Sequence, residues 1–169
     1  MEKIKKVLLV VLVSCIVLGA AMYIFKRDQT KEEIIQEYQK HEEAFEYVKE
    51  YFIANDIVQI RRDSGRITIH IKGSGIITSL ENIDDELLVQ YIHLLFDDLN
   101  YFRIFSSSAW KEKGIQLMFK KETNETYYYK GIVYCADNEP PISTSTTFYN
   151  VEQIENYWFY CEEDTDEDL

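Results

Sequence analysis

Basic residues are scarce in this chain: 18 Lys and Arg stand against 30 Asp and Glu, for a formal charge of −12. The deficit is uneven. Residues 1–27 hold Lys3, Lys5, Lys6, Lys26 and Arg27 against Glu2, which leaves the rest with 13 basic and 29 acidic residues, a net of −16. A body that acidic repels phosphate backbones and anionic lipid headgroups, so the expected partners are cationic or neutral and nucleic acid is not among them. Proline and glycine are also few, at 2 and 6. With 46% hydrophobic residues, that composition argues against disorder and for one folded domain with an appendage.

Reactive constellations are missing as well. The three cysteines, Cys15, Cys135 and Cys161, form no C-x-x-C pair and no Cys/His zinc spacing. His41, His70 and His93 include no pair at i, i+4, so no metalloprotease H-E-x-x-H motif is present. Asp164, Asp166 and Asp168 alternate like the start of a calcium loop, without the Gly and distal Glu that such a loop needs. No glycine-rich phosphate cradle, nucleophile elbow or paired-carboxylate signature stands out, and no cofactor is implied.

What is present begins with one long apolar run. Residues 7–25, VLLVVLVSCIVLGAAMYIF, carry no charge. As a helix rising ~1.5 Å per residue they span roughly 28 Å, the thickness of the hydrocarbon layer. Twelve of the nineteen are Leu, Ile, Val or Phe, worth on the order of −4 to −7 kcal/mol on insertion. Three fates compete: lipidation at Cys15 after Leu12-Val13-Ser14, cleavage at Gly19-Ala20-Ala21, or an intact anchor. Either cleavage leaves apolar residues at the new terminus, so the intact single-pass anchor in the lipid bilayer is the expectation. The basic start MEKIKK favours a cytoplasmic N-terminus and an extracellular C-terminal domain at the cell membrane, although Lys26, Arg27 and Lys31 nearly balance the count.

Behind residues 1–6 (a basic tail) and the span at 7–25, residues 26–161 read as an α+β domain, closed by an acidic tail at 162–169. Thr30 and Glu33 make a capping box, and Ile34, Tyr38, His41, Phe45, Val48 and Phe52 form one stripe, predicting a helix over 30–54. IVQIR and RITIHIK alternate around Asp63-Ser64-Gly65 as a hairpin. A second helix is predicted over 83–99, with Leu88, Tyr91, Ile92, Leu95 and Leu99 as its packing side. YFRIF is a third strand, GIQLMFKK and TYYYKGIVYC a second hairpin with a bulge at Gly131, and YWFYC a last strand. The order predicts a two-layer domain, a mostly antiparallel sheet with two helices on one face.

Two features are candidate sites. Cys135 and Cys161 near the ends of neighbouring strands suit a disulfide if the body is exported; the competing reading is two buried thiols. The aromatic excess of 13 Tyr, 9 Phe and 2 Trp places Tyr127, Tyr129, Trp158 and Tyr160 on strands where they could line an exposed platform for a sugar or a protein. Ordinary strand propensity and core packing would account for the same rings.

Gly131-Ile132-Val133-Tyr134, the proline-bearing loop and Tyr157-Trp158-Phe159-Tyr160 before an acidic end resemble small uncharacterised membrane-anchored proteins of low-GC Gram-positive bacteria. The resemblance covers the last third of the body, and it implies an envelope location and no particular activity. The functional expectation is therefore a non-enzymatic envelope module that binds a protein or another cell-envelope component. The rivals are a surface sugar-binding or hydrolase domain, and a cytoplasm-facing regulatory or immunity-type protein.

Overall fold

The computed structural model describes residues 28–73, 77–106, 116–123, 128–142 and 147–164. The expected span at 7–25, Cys15 and both cleavage sites lie outside them, as do Tyr127 and residues 165–169. Among the described residues, no helix is long and apolar enough to cross a membrane.

The α+β class holds. Helices α1 (Lys31–Lys40) and α2 (Glu42–Ala54) precede β1 (Ile57–Asp63), β2 (Arg66–Ile71) and β3 (Ile77–Ser79); α3 (Glu86–His93) follows, then β4 (Tyr101–Ser106), β5 (Gln116–Glu122), β6 (Tyr128–Cys135), β7 (Thr147–Glu155) and β8 (Trp158–Asp164). All eight strands join one sheet in the order β3-β2-β1-β4-β5-β6-β8-β7, with every neighbouring pair antiparallel. The β1–β2 turn has positive φ at Ser64 (49°) and Gly65 (82°), the backbone that matches strand twist in a two-residue hairpin.

Register assigns the two faces. Ile69, Ile60, Ile104, Phe119, Ile132 and Tyr160 stand side by side across β2, β1, β4, β5, β6 and β8. They pack with Ile34 and Tyr38 of α1, Phe45, Val48 and Phe52 of α2, and Leu88 and Ile92 of α3 in one buried cluster. All three helices therefore lie on one face. Phe45 is its hub, with ring centroids 5.0 Å from Phe119, 5.2 Å from Tyr38, 5.6 Å from Tyr101 and 6.2 Å from Trp158.

Several expectations need correction. The helix predicted over 30–54 is two helices. Its capping box is present, with Thr30 N–H donating to Glu33 at 2.8 Å and Glu33 N–H to Thr30 at 3.3 Å, but the chain turns at His41 (φ −123°, ψ 24°). Neither proline nor glycine marks that break. Tertiary contacts hold α1 at its own angle: Glu37 accepts from Lys121 of β5, and Tyr38 donates to Glu155 of β7. The helix predicted over 83–99 starts at Glu86, capped by Asp85, and its last turn, Leu94–Asp98, is π-helical, with Leu99 N–H donating to Leu94 C=O at 2.9 Å. The widened turn lets Leu95, Phe96 and Leu99 all reach the core after Leu88 and Ile92.

Two strands went unpredicted. β3 has only three residues, too short for alternation to show, and β7 has exposed polar side chains at an edge. The expected acidic tail at 162–169 begins too early. β8 runs through Asp164, and Glu162 and Glu163 are buried inside the sheet. Glu162 accepts from Tyr128, from Asn150 at 2.8 Å and from Tyr160 at 2.6 Å, while Glu163 pairs with Lys120. Gly131 forms no bulge either: the ladder runs through it without a shift, facing Lys120 on one side and Cys161 on the other.

Candidate functional site

The structure separates the residues that the sequence put forward. Trp158 and Tyr160 are 2% and 0% exposed, packed in the helix-side core, so neither lines a platform. Trp158 Nε1 donates to Glu46 at 2.6 Å and Tyr160 Oη to Glu162, so both polar tips are satisfied internally. Tyr129 alone of the described three reaches the surface, half-buried and stacked on Phe102 at 5.6 Å with a 29° tilt.

Cys135 and Cys161 are free, buried thiols. They share a face and a cluster with Met118, Val133 and Phe159, which is why the disulfide looked available. Register shows why it is not. Cys161 stands opposite Gly131, four residues along β6 from Cys135, about 13 Å at strand rise, whereas a disulfide needs Cα atoms roughly 4.4–6.8 Å apart. Burial pushes the Cys135 thiol up to about 12 and raises Cys161 well above the usual thiol value. Both stay protonated and inert at neutral pH. In the native chain, Cys135 and Cys161 are therefore expected to resist a soluble disulfide reagent for hours and to react within minutes in denaturing urea. Fast modification of either in the folded chain would contradict their burial.

The histidines do not converge. His41 sits at the junction of α1 and α2, and His70 on β2 faces away from the helices. His93 Nδ1 meets Asp97 at 2.7 Å, as its i, i+4 spacing implies. That contact and Arg62 hold the Asp97 carboxyl below the usual value. No group of three metal-ligating side chains occurs among the described residues.

A different constellation is exposed. Tyr47, Glu50, Tyr51, Ala54 and Asn55 line an open cleft of about 210 Å³ on α2. Helical geometry builds it: Tyr47, Tyr51 and Asn55 follow at steps of four, Glu50 and Ala54 repeat the step beside them, and the small Ala54 leaves the floor low. Phe45, Val48 and Phe52 turn to the core and direct this stripe outward. Tyr47 Oη donates to Asp85 at 2.9 Å, and Asp85 also accepts from Leu88 N–H at 2.9 Å as the cap of α3. Tyr91 packs edge-on against Tyr47, centroids 5.5 Å apart, with the Glu43 carboxylate near its hydroxyl.

The electrostatics follow. The hydrogen bond to Asp85 raises the Tyr47 phenol, and burial raises Tyr51 and Tyr91, so all three rings stay neutral and keep their electron-rich faces. Glu43, Glu50 and Asp85 add three carboxylates around those rings, and Glu50 has no ion-pair partner among the described residues. Aromatic faces among uncompensated carboxylates attract a cationic group. Tyrosines at i, i+4 on the polar side of a helix are the one signal that these residues leave in the sequence. No family model, no curated protein and no solved structure matches this chain.

Proposed function

We propose that this chain is a single-pass membrane protein whose acidic α+β domain stands outside the membrane as a non-enzymatic binding module. Its α2 cleft receives an ammonium or guanidinium group of a protein or other cell-envelope partner. The tyrosine and carboxylate lining of that cleft is the observation that carries the reading. The surface-sugar alternative loses two of its four rings, because Trp158 and Tyr160 are buried.

The test uses the full chain, extracted from membranes with detergent after a carbonate wash. Titration with butylammonium, followed through the tyrosine ring resonances, is expected to saturate with a Kd on the order of 1–10 mM, as one or two exposed rings at about 0.5–1 kcal/mol each and a carboxylate allow. Tyr51→Leu and Glu50→Gln are each expected to weaken binding about threefold to tenfold. Glu139→Gln, a charge lost at an exposed position outside the cleft, is expected to leave it unchanged. Release of the chain by the wash would sink the tether. A shift that never saturates would sink the cleft.

A further inference from the structure

The sheet face turned away from the helices holds donors that the described fold does not satisfy. Register sets His70 beside Gln59 and Gln59 beside Phe105; two residues along the strands, Arg61 stands beside Arg103 and Arg103 beside Lys120. Arg103 Nη2 donates to Gln59 Oε1 at 3.1 Å. Arg103 Nε, Gln59 Nε2 and His70 Nε2 are buried atoms with no hydrogen-bond partner among the described residues. Buried polar atoms are almost always paired, so three orphans within one patch need an explanation.

Charge points the same way. Arg61 pairs with Asp63 at 2.5 Å, and buried Lys120 pairs with Glu163. Arg103 has no carboxylate of its own among the described residues; its guanidinium lies 4.5 Å over the Phe105 ring. Besides its Glu163 partner, Lys120 lies over the rings of Phe105 (4.9 Å) and Tyr129 (4.7 Å). Burial and the neighbouring Arg61 disfavour the charge on Arg103, and Glu163 partly opposes them. In a body carrying a net −16, this row has one cation, Arg103, without an ion-pair partner among the described residues. His70, Gln59, Arg103 and Phe105 are each only half-buried, which leaves the strip a path to solvent.

We propose that this strip binds a small oxyanion, a carboxylate or phosphate group seated on Arg103, Gln59 and His70 with Lys120 at its edge. An acceptor-only ligand is what unpaired N–H groups require, and the Nε edge of a guanidinium suits two oxygens on one centre. The strong negative charge of the surrounding body excludes a polyanion such as nucleic acid and leaves a small, compact anion as occupant.

The experiment measures thermal unfolding of the full chain in detergent by tryptophan fluorescence, in phosphate, succinate or chloride at matched ionic strength. Phosphate or succinate, at about tenfold above its Kd, is expected to raise the midpoint by about 3 °C over chloride. Arg103→Gln is expected to abolish that rise and Arg103→Lys, which keeps charge without the Nε edge, to reduce it. Arg61→Gln removes the same charge from an exposed, acid-paired neighbour and is expected to preserve it. Should Arg103→Gln fail to fold, Gln59→Leu supplies the comparison, with the rise expected to shrink. No rise in either anion, or an equal rise in wild type and the Arg103 and Gln59 variants, overturns the site and marks a general salt effect.

Discussion

Gly131→Ala is expected to lower the unfolding free energy by about 3 kcal/mol or more, a large part of the roughly 5–15 kcal/mol that holds a domain together. A Cβ added at Gly131 would lie 2.1 Å from the Phe119 carbonyl oxygen and 3.1 Å from its carbon. Those atoms belong to the β5 backbone, not to a flexible side-chain tip, so relief requires moving the strand. β5 and β6 are central in the sheet, and Phe119 and Ile132 beside this contact are both fully buried. Urea unfolding of the full chain in detergent, read by tryptophan fluorescence, would show the midpoint falling. A loss under about 1 kcal/mol would mean that the strands separate easily here, and the close approach would no longer explain the glycine.

Phe45→Ala is expected to cost about 3–5 kcal/mol, the range for deleting a buried aromatic ring. Phe45 is 0% exposed and touches rings from α1, β4, β5 and β8 at once. Few neighbours can collapse into the space, because Tyr38 is tied to Glu155 and Trp158 to Glu46. Phe45→Leu refills most of the volume and is expected to lose about 1–2 kcal/mol. Were the alanine and leucine variants equally stable, the ring cluster would not be the keystone of the helix-side core.

Legibility varied with how local each determinant is. The capping box at Thr30, the 63–65 turn and the β5–β6 hairpin were readable because neighbours in sequence supply both partners. The break at His41 was not, because Glu37 and Tyr38 answer to Lys121 and Glu155, more than 80 residues away. Cys135 and Cys161 do lie on neighbouring strands, as expected, but a four-residue offset in register keeps them from bonding. The aromatic platform failed by periodicity alone: Trp158 and Tyr160 share one side of β8, and only the packing of three helices against that side decides that it is the inside.

By itself the sequence determined the class of the domain, its excess negative charge and the apolar run at its start, since composition and period follow from the residues themselves. Which helix side stayed open for Tyr47 and Tyr51, and where Glu162 and Glu163 became buried, was decided by the tertiary structure. So was the row that brings Arg103, Gln59 and His70 together from three strands. The physical reason is that burial and unmet hydrogen bonds belong to pairs of distant residues, and strand register, which no local pattern encodes, selects those pairs.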